Sequence, residues 1–417
     1  MIRRQALRLK GKVFEQALKA ADDASMLSGF CKFITERILG HRILPLVWMD
    51  QSEPHERGVL RPGKEVTIYG PDVIGQGQKN TRLQLPDVAY FRFLNGRVSA
   101  RSSSVISRDN TALVERFRAP EQASFEYASG QIAKHSSSSA VVTPDKSEVL
   151  ERGIFLGGNG SENYYHWIVE VLTRTEFIEK LPVQFSDFPL LVGAECMAWP
   201  SFRESLAIYG GNRQLVVLNE ATPYTVKDLV YITSPNNIPF NLTRGSRFQL
   251  HHFATDGQSM RYLRDRALAA CKPAISDQRP GKLIFLARRN TRRAYNEEQV
   301  FGILQPYGFK KVYFENLSFA DQVRTAHAAE VLAGPTGAAW TNLLFCRPGA
   351  KALCWMACEN GEFAAYSTIA HEAGVNMKFL QYEAGFETTE ELYSHRYQID
   401  ETRIHEGLQA LQIGVSE

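Results

Sequence analysis

The chain has 417 residues and a formal net charge of +3, with 44% hydrophobic and 22% charged residues. That is ordinary globular composition, long enough for two or three domains, and it excludes a disordered or collagen-like chain. The small positive excess gives no reason to expect a nucleic-acid partner, and no run approaches 18 consecutive apolar residues, so no membrane-spanning helix is predicted.

Residues 1–40 read as helix. Arg3, Arg4, Arg8, Lys10, Lys12 and Lys19 interleave with Ile2, Leu7, Leu9, Val13, Phe14 and Leu18. Such a basic amphipathic arm suits either packing on its own domain or peripheral contact with an anionic membrane surface. No apolar signal-peptide region follows Arg3-Arg4. Between 43 and 150, runs such as Ile43-Leu44-Pro45-Leu46-Val47-Trp48 and Val88-Ala89-Tyr90-Phe91-Arg92-Phe93 alternate with Gly, Pro, Asn and Asp, which is strand-and-turn punctuation. The six cysteines show no metal-ligand spacing and read as the reduced thiols of a cytoplasmic protein.

From about 151 the texture changes to alternating strands and helices. Strands are predicted at 153–157, 189–193, 214–218 and 228–233, helices at 163–180, 199–209 and near 257–271, and 273–281 reads as a linker. The last part alternates regularly, with strands at 282–287, 310–315, 330–333, 351–355 and 376–381. Helices are predicted between them at 296–306, 318–328, near 338–346 and at 362–373. This pattern argues for an α/β fold with a helix-covered parallel sheet, in which ligands bind beyond the carboxyl ends of the strands. The resulting division is 1–150, a helical arm and β-rich segment; 151–255, an α/β domain; 256–400, a second α/β domain; and 401–417, a tail.

Three segments carry candidate chemistry. The first is the glycine-rich loop Gly157-Gly158-Asn159-Gly160, followed by a helix capped by Asn163 or Ser161. On that helix His166 and Glu170 lie one turn apart on one face, with Arg174 a turn further. A carboxylate beside an imidazole orients it and favours its taking up a proton; the same pattern also fits an interdomain salt bridge. The second is Arg288-Arg289-Asn290-Thr291-Arg292-Arg293, at the carboxyl end of a strand. Guanidinium groups there suit phosphate oxygens, because they offer paired donors in a plane. The third is Gly334-Pro335-Thr336-Gly337-Ala338-Ala339-Trp340-Thr341-Asn342, a small-residue turn after the apolar run Val331-Leu332-Ala333. Backbone amides at such a strand-to-helix turn can meet an anion. The turn is neither a P-loop nor a dinucleotide fingerprint. The chain also contains no Asp-x-Asp, so charge on a departing diphosphate is left to arginine and amides.

In these residues the chain resembles glycosyltransferase family 61. The resemblance rests on four ordered matches. They are Asn163-Tyr164-Tyr165-His166-Trp167 with Glu170 and Arg174; Arg288 and Arg292 with Asn296 and Glu297; Gly308-Phe309 with Leu317-Ser318-Phe319-Ala320-Asp321-Gln322; and Gly334 to Ala339 with Asn342 and Phe345. The resemblance implies a two-lobed glycosyltransferase of the B architecture, with 151–255 facing the acceptor and a Rossmann-like domain at 256–400 holding a nucleotide-sugar. It implies inversion and no required metal or other cofactor. Arg288 and Arg292 would grip donor phosphates, and Thr336, Gly337, Ala338 and Asn342 would line the donor pocket. Asn163, Arg174, Asn296 and Glu297 would support the site. The chain departs from the family at Thr336, where histidine is usual, and at Thr173, where proline is usual.

The expected reaction is transfer of a sugar from a nucleotide-sugar to a glycan or lipid-linked glycan, in bacterial capsule or other surface polysaccharide synthesis, in the cytoplasm or at the inner membrane surface. His166 is the expected base, backed by Glu170, with Glu170 itself as second choice. A pyruvyltransferase-like enzyme and an inactive scaffold of the same fold are the alternatives.

Overall fold

A computed structural model describes residues 2–22, 26–115, 126–144, 146–242, 246–272, 282–288, 294–385 and 396–414. Two principal sheets carry a mixed α/β fold. In the larger, eleven strands of the described residues join. Glu148–Leu156, Leu190–Gly193, Leu215–Leu218 and Tyr224–Ile232 form its parallel part. Tyr224–Ile232 then pairs antiparallel with Val88–Val98, and the sheet continues through the first third of the chain. The composition boundary near residue 150 is therefore no boundary in the sheet. Phe91 and Phe93 from one side of it and Leu229 and Tyr231 from the other share one buried cluster. Burial of that kind stabilises by roughly 1.5–3 kcal/mol per large side chain.

The basic arm forms helix Ile2–Asp22, whose Phe14 and Leu18 pack with Val141 of the sheet. Packing on its own domain is thus realised, while Leu9, Phe30 and Phe33 stay exposed. No helix among the described residues is long and apolar enough to cross a membrane.

The second sheet is parallel, in the order Lys310–Val312, Lys282–Leu286, Ala329–Pro335, Lys351–Ala357, Asn376–Tyr382. Its central strands are near-continuous apolar runs because helices cover both faces. The chain enters at Lys282–Leu286, moves outward to Lys310–Val312, and returns across the starting strand to Ala329–Pro335. That reversal opens a crevice between the carboxyl ends of Lys282–Leu286 and Ala329–Pro335, the usual ligand position in such sheets. Arg288 follows the first strand and Thr336-Gly337 the second.

Three elements differ from their sequence expectation. The segment predicted as one helix over 163–180 is α-helical only at Tyr164–His166, π-helical at Trp167–Val171 and 3₁₀ at Leu172–Lys180. The carbonyls that would continue the α ladder are taken by side chains. Val169 O accepts from Thr173 Oγ1 at 2.8 Å and Asn236 Nδ2 at 2.6 Å, and Glu170 O accepts from Thr173 Oγ1 at 3.2 Å and Ser234 Oγ at 3.1 Å. The helix near 338–346 is 3₁₀, Ala338–Phe345. Finally, the predicted tail contains helix Glu401–Ala410, which buries Ile404 and Leu408 in one cluster with Phe285 and Trp355. Truncating Ile404 to alanine is expected to cost about 2–5 kcal/mol, read from chemical denaturation; an unchanged midpoint would make this helix a dispensable appendage.

Candidate functional site

The crevice of the smaller sheet opens into a cleft of about 580 Å³. One wall comes from the smaller sheet: Arg288, the turn from Pro335 to Ala339, Asn342, and Glu315 beyond the outer strand. The other comes from the first motif and the helix after Trp199: Glu162, Tyr164, Trp199, Ser201 and Phe202. The cleft is thus assembled from two stretches well apart in sequence, 162–202 and 286–342.

Several contacts hold the walls in place. Glu204 accepts from the amides of Phe319, at 2.8 Å, and Ala320, at 3.4 Å. An anionic group at the N-terminus of helix Phe319–Ala328 satisfies first-turn donors and matches the helix dipole. Asn342 is fully buried and bridges the motifs. Its Nδ2 donates to Gln322 Oε1 at 3.2 Å and Ala339 O at 3.1 Å, while its Oδ1 accepts from Tyr164 Oη at 3.2 Å. Both amide hydrogens are used within the protein, so Asn342 fixes the geometry of the pocket it lines.

Arg288 lies across the turn. Its Nη2 donates to Thr336 O and, at 3.3 Å, to Pro335 O; its backbone N–H donates to Glu297 at 3.3 Å. Burial pushes the Glu297 carboxyl up from its ordinary value. Next to it, Asn296 brackets residue 399, donating to Ile399 O at 3.0 Å and accepting from Ile399 N at 2.8 Å. Arg292 lies outside the described residues. The Thr336 side chain turns away, its hydroxyl donating to Trp355 O at 2.8 Å. The contribution of Thr336 is its carbonyl, under the guanidinium. Ala338 opens the 3₁₀ helix, so the amides of 338–340 are first-turn groups, of which Trp340 N is bonded to Gly337 O at 3.0 Å.

Gly337 is required by proximity, since a β-carbon there would overlap the Arg288 guanidinium. Its backbone is extended, so Gly337→Ala adds no backbone strain and acts by pushing the flexible end of Arg288 aside. The expected result is weakened nucleoside diphosphate binding with the melting temperature nearly unchanged. Wild-type affinity, measured by calorimetry, would show that the guanidinium position is irrelevant.

His166, Glu170 and Arg174 occupy a different setting, and none of them is among the residues lining the cleft. Asn163 caps the short helix by accepting from Tyr165 N at 2.9 Å. His166 Nδ1 is hydrogen-bonded to Glu170, as the one-turn spacing predicts, and the imidazole meets Tyr165 and Phe240 edge to face. Gly160, at φ +74°, lets the loop pass this cluster; a side chain there would run into Phe240. Glu170 also accepts from Ile238 N at 3.1 Å. It also lines a second cavity, of about 40 Å³, with Glu115, Arg174 and Asn236. Arg174, beyond the π-helical turn, borders the same cavity as Glu170. It is 3% exposed, donates to Gly157 O at 2.8 Å and pairs with Glu115 at 3.3 Å. Burial raises the Glu115 carboxyl above its ordinary value, an effect opposed by Arg174.

The cleft thus joins Arg288, Thr336, Gly337, Ala338 and Asn342, while His166, Glu170 and Arg174 form a second polar cluster. Sequence reasoning passed over Glu162 and Trp199. Glu162 was visible one residue ahead of Asn163, but the histidine-carboxylate spacing drew the assignment to the helix. Nothing in the sequence marks Trp199 as facing a cleft.

The family model described as Glycosyltransferase 61 matches residues 164–353, from Tyr164 of the first motif to the fourth strand of the smaller sheet. No curated protein matches the chain.

Proposed function

We infer that this chain, whose residues 164–353 match the family model described as Glycosyltransferase 61, is a glycosyltransferase drawing its sugar from a nucleotide-sugar bound in the Arg288 cleft. The observation that carries the reading is the position of Arg288 and the Gly337-Ala338 turn, at the carboxyl ends of two strands where the sheet order reverses. A diphosphate there meets a guanidinium and first-turn amides together. As the sugar leaves, these groups stabilise the charge that develops on the diphosphate. No Asp-x-Asp metal handle takes part, since the sequence has none.

Transfer in a single displacement inverts the anomeric carbon. The acceptor is a glycan or lipid-linked glycan, and the proposed setting is bacterial surface polysaccharide synthesis on the cytoplasmic side of the membrane. The exposed Leu9 beside Lys10 in the basic arm, and the exposed Phe30 and Phe33 that follow the arm, support peripheral attachment there.

A thermal-shift screen tests the reading. Stabilisation by UDP, GDP or CMP is expected. Stabilisation by phosphoenolpyruvate instead would point to pyruvyl transfer, and indifference to all of these would leave a non-catalytic binding protein.

A further inference from the structure

We propose that the wall facing Arg288 is the acceptor-sugar subsite, where Glu162 takes the proton of the attacking hydroxyl and Trp199 offers its indole face to the acceptor ring. The assignment rests on the nucleotide-sugar reading above. An in-line displacement needs the nucleophile on the side of the sugar opposite the leaving group. With the diphosphate on the Arg288 wall, the base belongs to the other wall. That wall carries three side chains with oxygen atoms: Glu162, Tyr164 and Ser201. The Tyr164 hydroxyl donates to Asn342, and burial pushes its pKa far above the ordinary value. A serine hydroxyl is too weak a base without a partner to activate it. Glu162 remains, and it is the carboxylate on that wall.

The surroundings of Glu162 fit the role. Its Oε2 is buried and without a hydrogen-bond partner, yet the side chain is 36% exposed, so the part of the carboxylate open to the cleft is the rest of the group. The buried Oε2 faces Arg101 Nε at 3.9 Å, an ion pair in which neither atom has a hydrogen-bond partner, while Arg101 Nη2 is bonded to Glu220 at 2.8 Å. The preceding residue, Ser161, is anchored to Glu195 at 2.6 Å, so the loop presenting Glu162 is held in place. Trp199 is 54% exposed at the start of helix Pro200–Gly210, beside Phe202, which is stacked on the buried Trp167. A large aromatic ring half in solvent on a cleft wall presents an apolar face of the kind a sugar ring covers.

In the transfer step the acceptor oxygen bonds to the anomeric carbon while the bond from that carbon to the diphosphate oxygen breaks. The electron pair leaves with the nucleoside diphosphate, beside Arg288, and the hydroxyl proton passes to Glu162.

The test uses the whole protein and a panel of UDP-glucose, UDP-N-acetylglucosamine, UDP-galactose and GDP-mannose. Nucleoside diphosphate release is followed with water alone as acceptor, and then with p-nitrophenyl glycosides. Glu162→Gln is expected to keep nucleoside diphosphate affinity and to lose release by ~10²–10⁴-fold with either acceptor. Trp199→Ala is expected to raise the glycoside KM about tenfold. Wild-type turnover in Glu162→Gln, or loss of its nucleotide binding in place of turnover, overturns the role of Glu162. An unchanged glycoside KM in Trp199→Ala overturns the platform. Absence of release and of nucleotide binding in the unaltered protein overturns the transferase reading itself, and this subsite with it.

Discussion

Arg288→Ala is expected to lower nucleoside diphosphate affinity by about 10²-fold while leaving the weak binding of the bare nucleoside unchanged. The size follows from losing charge-assisted hydrogen bonds worth roughly 1.5–3 kcal/mol each. Arg288→Lys keeps the charge but loses the planar, paired donors, so it recovers only part of the loss. The effect on the chemical step is expected to exceed that on binding, since charge on the diphosphate grows as the sugar leaves. Calorimetric titration of nucleoside, monophosphate and diphosphate into both variants checks this. An equal loss for all three would mean that Arg288 supports the fold of the cleft and does not contact phosphate.

The second large effect is on stability. Arg174→Met is expected to cost about 3–5 kcal/mol, because it leaves the buried carboxylate of Glu115 without its cation. The double variant Arg174→Met/Glu115→Gln is expected to recover much of that loss, since neither charge is then stranded. The pH dependence has a definite sign. Burial raises the folded-state pKa of Glu115 above its unfolded value, and removing Arg174 removes an opposing influence. The stability associated with this group is therefore fully present below the unfolded pKa and is lost as pH rises through the folded one. The deficit of Arg174→Met is thus expected to deepen from acid toward neutral pH. Denaturation midpoints at several pH values read this directly, and a deficit independent of pH would detach it from Glu115. Nucleoside diphosphate affinity is expected to survive in the folded fraction, because Arg174 lies outside the residues lining the cleft.

The smaller sheet is the part of the fold most legible in the sequence. Its strands are short apolar runs with breakers at both ends, and its helices carry the 3.6-residue period, so local signals suffice. Those signals place Arg288 and the Gly334–Asn342 turn at strand ends, and the sheet order brings the two ends together. The joining of 43–150 to the α/β strands is not legible, because strand partners over a hundred residues apart leave no local trace; Val88–Val98 against Tyr224–Ile232 is the case in point.

The first motif shows a different limit. Its one-turn spacing reads correctly as a His166–Glu170 contact. The helix type does not read, because the groups that break its ladder, Ser234 and Asn236, arrive from sixty residues away. Past the broken ladder, Arg174 still borders the cavity that Glu170 lines and pairs there with Glu115. Spacing thus recognised a real contact, but could not show that Glu162 lines the cleft and that His166 does not. Thr336 teaches the same lesson on a smaller scale. Its side chain is occupied by Trp355 O, and its carbonyl is the atom beneath Arg288.

The most direct measurement is a structure of the protein with a nucleoside diphosphate bound. The account predicts its phosphates within hydrogen-bond distance of the Arg288 guanidinium and the amides that open Ala338–Phe345, with Glu162 across the cleft. A diphosphate bound elsewhere, beside the His166–Glu170 pair for instance, would contradict it.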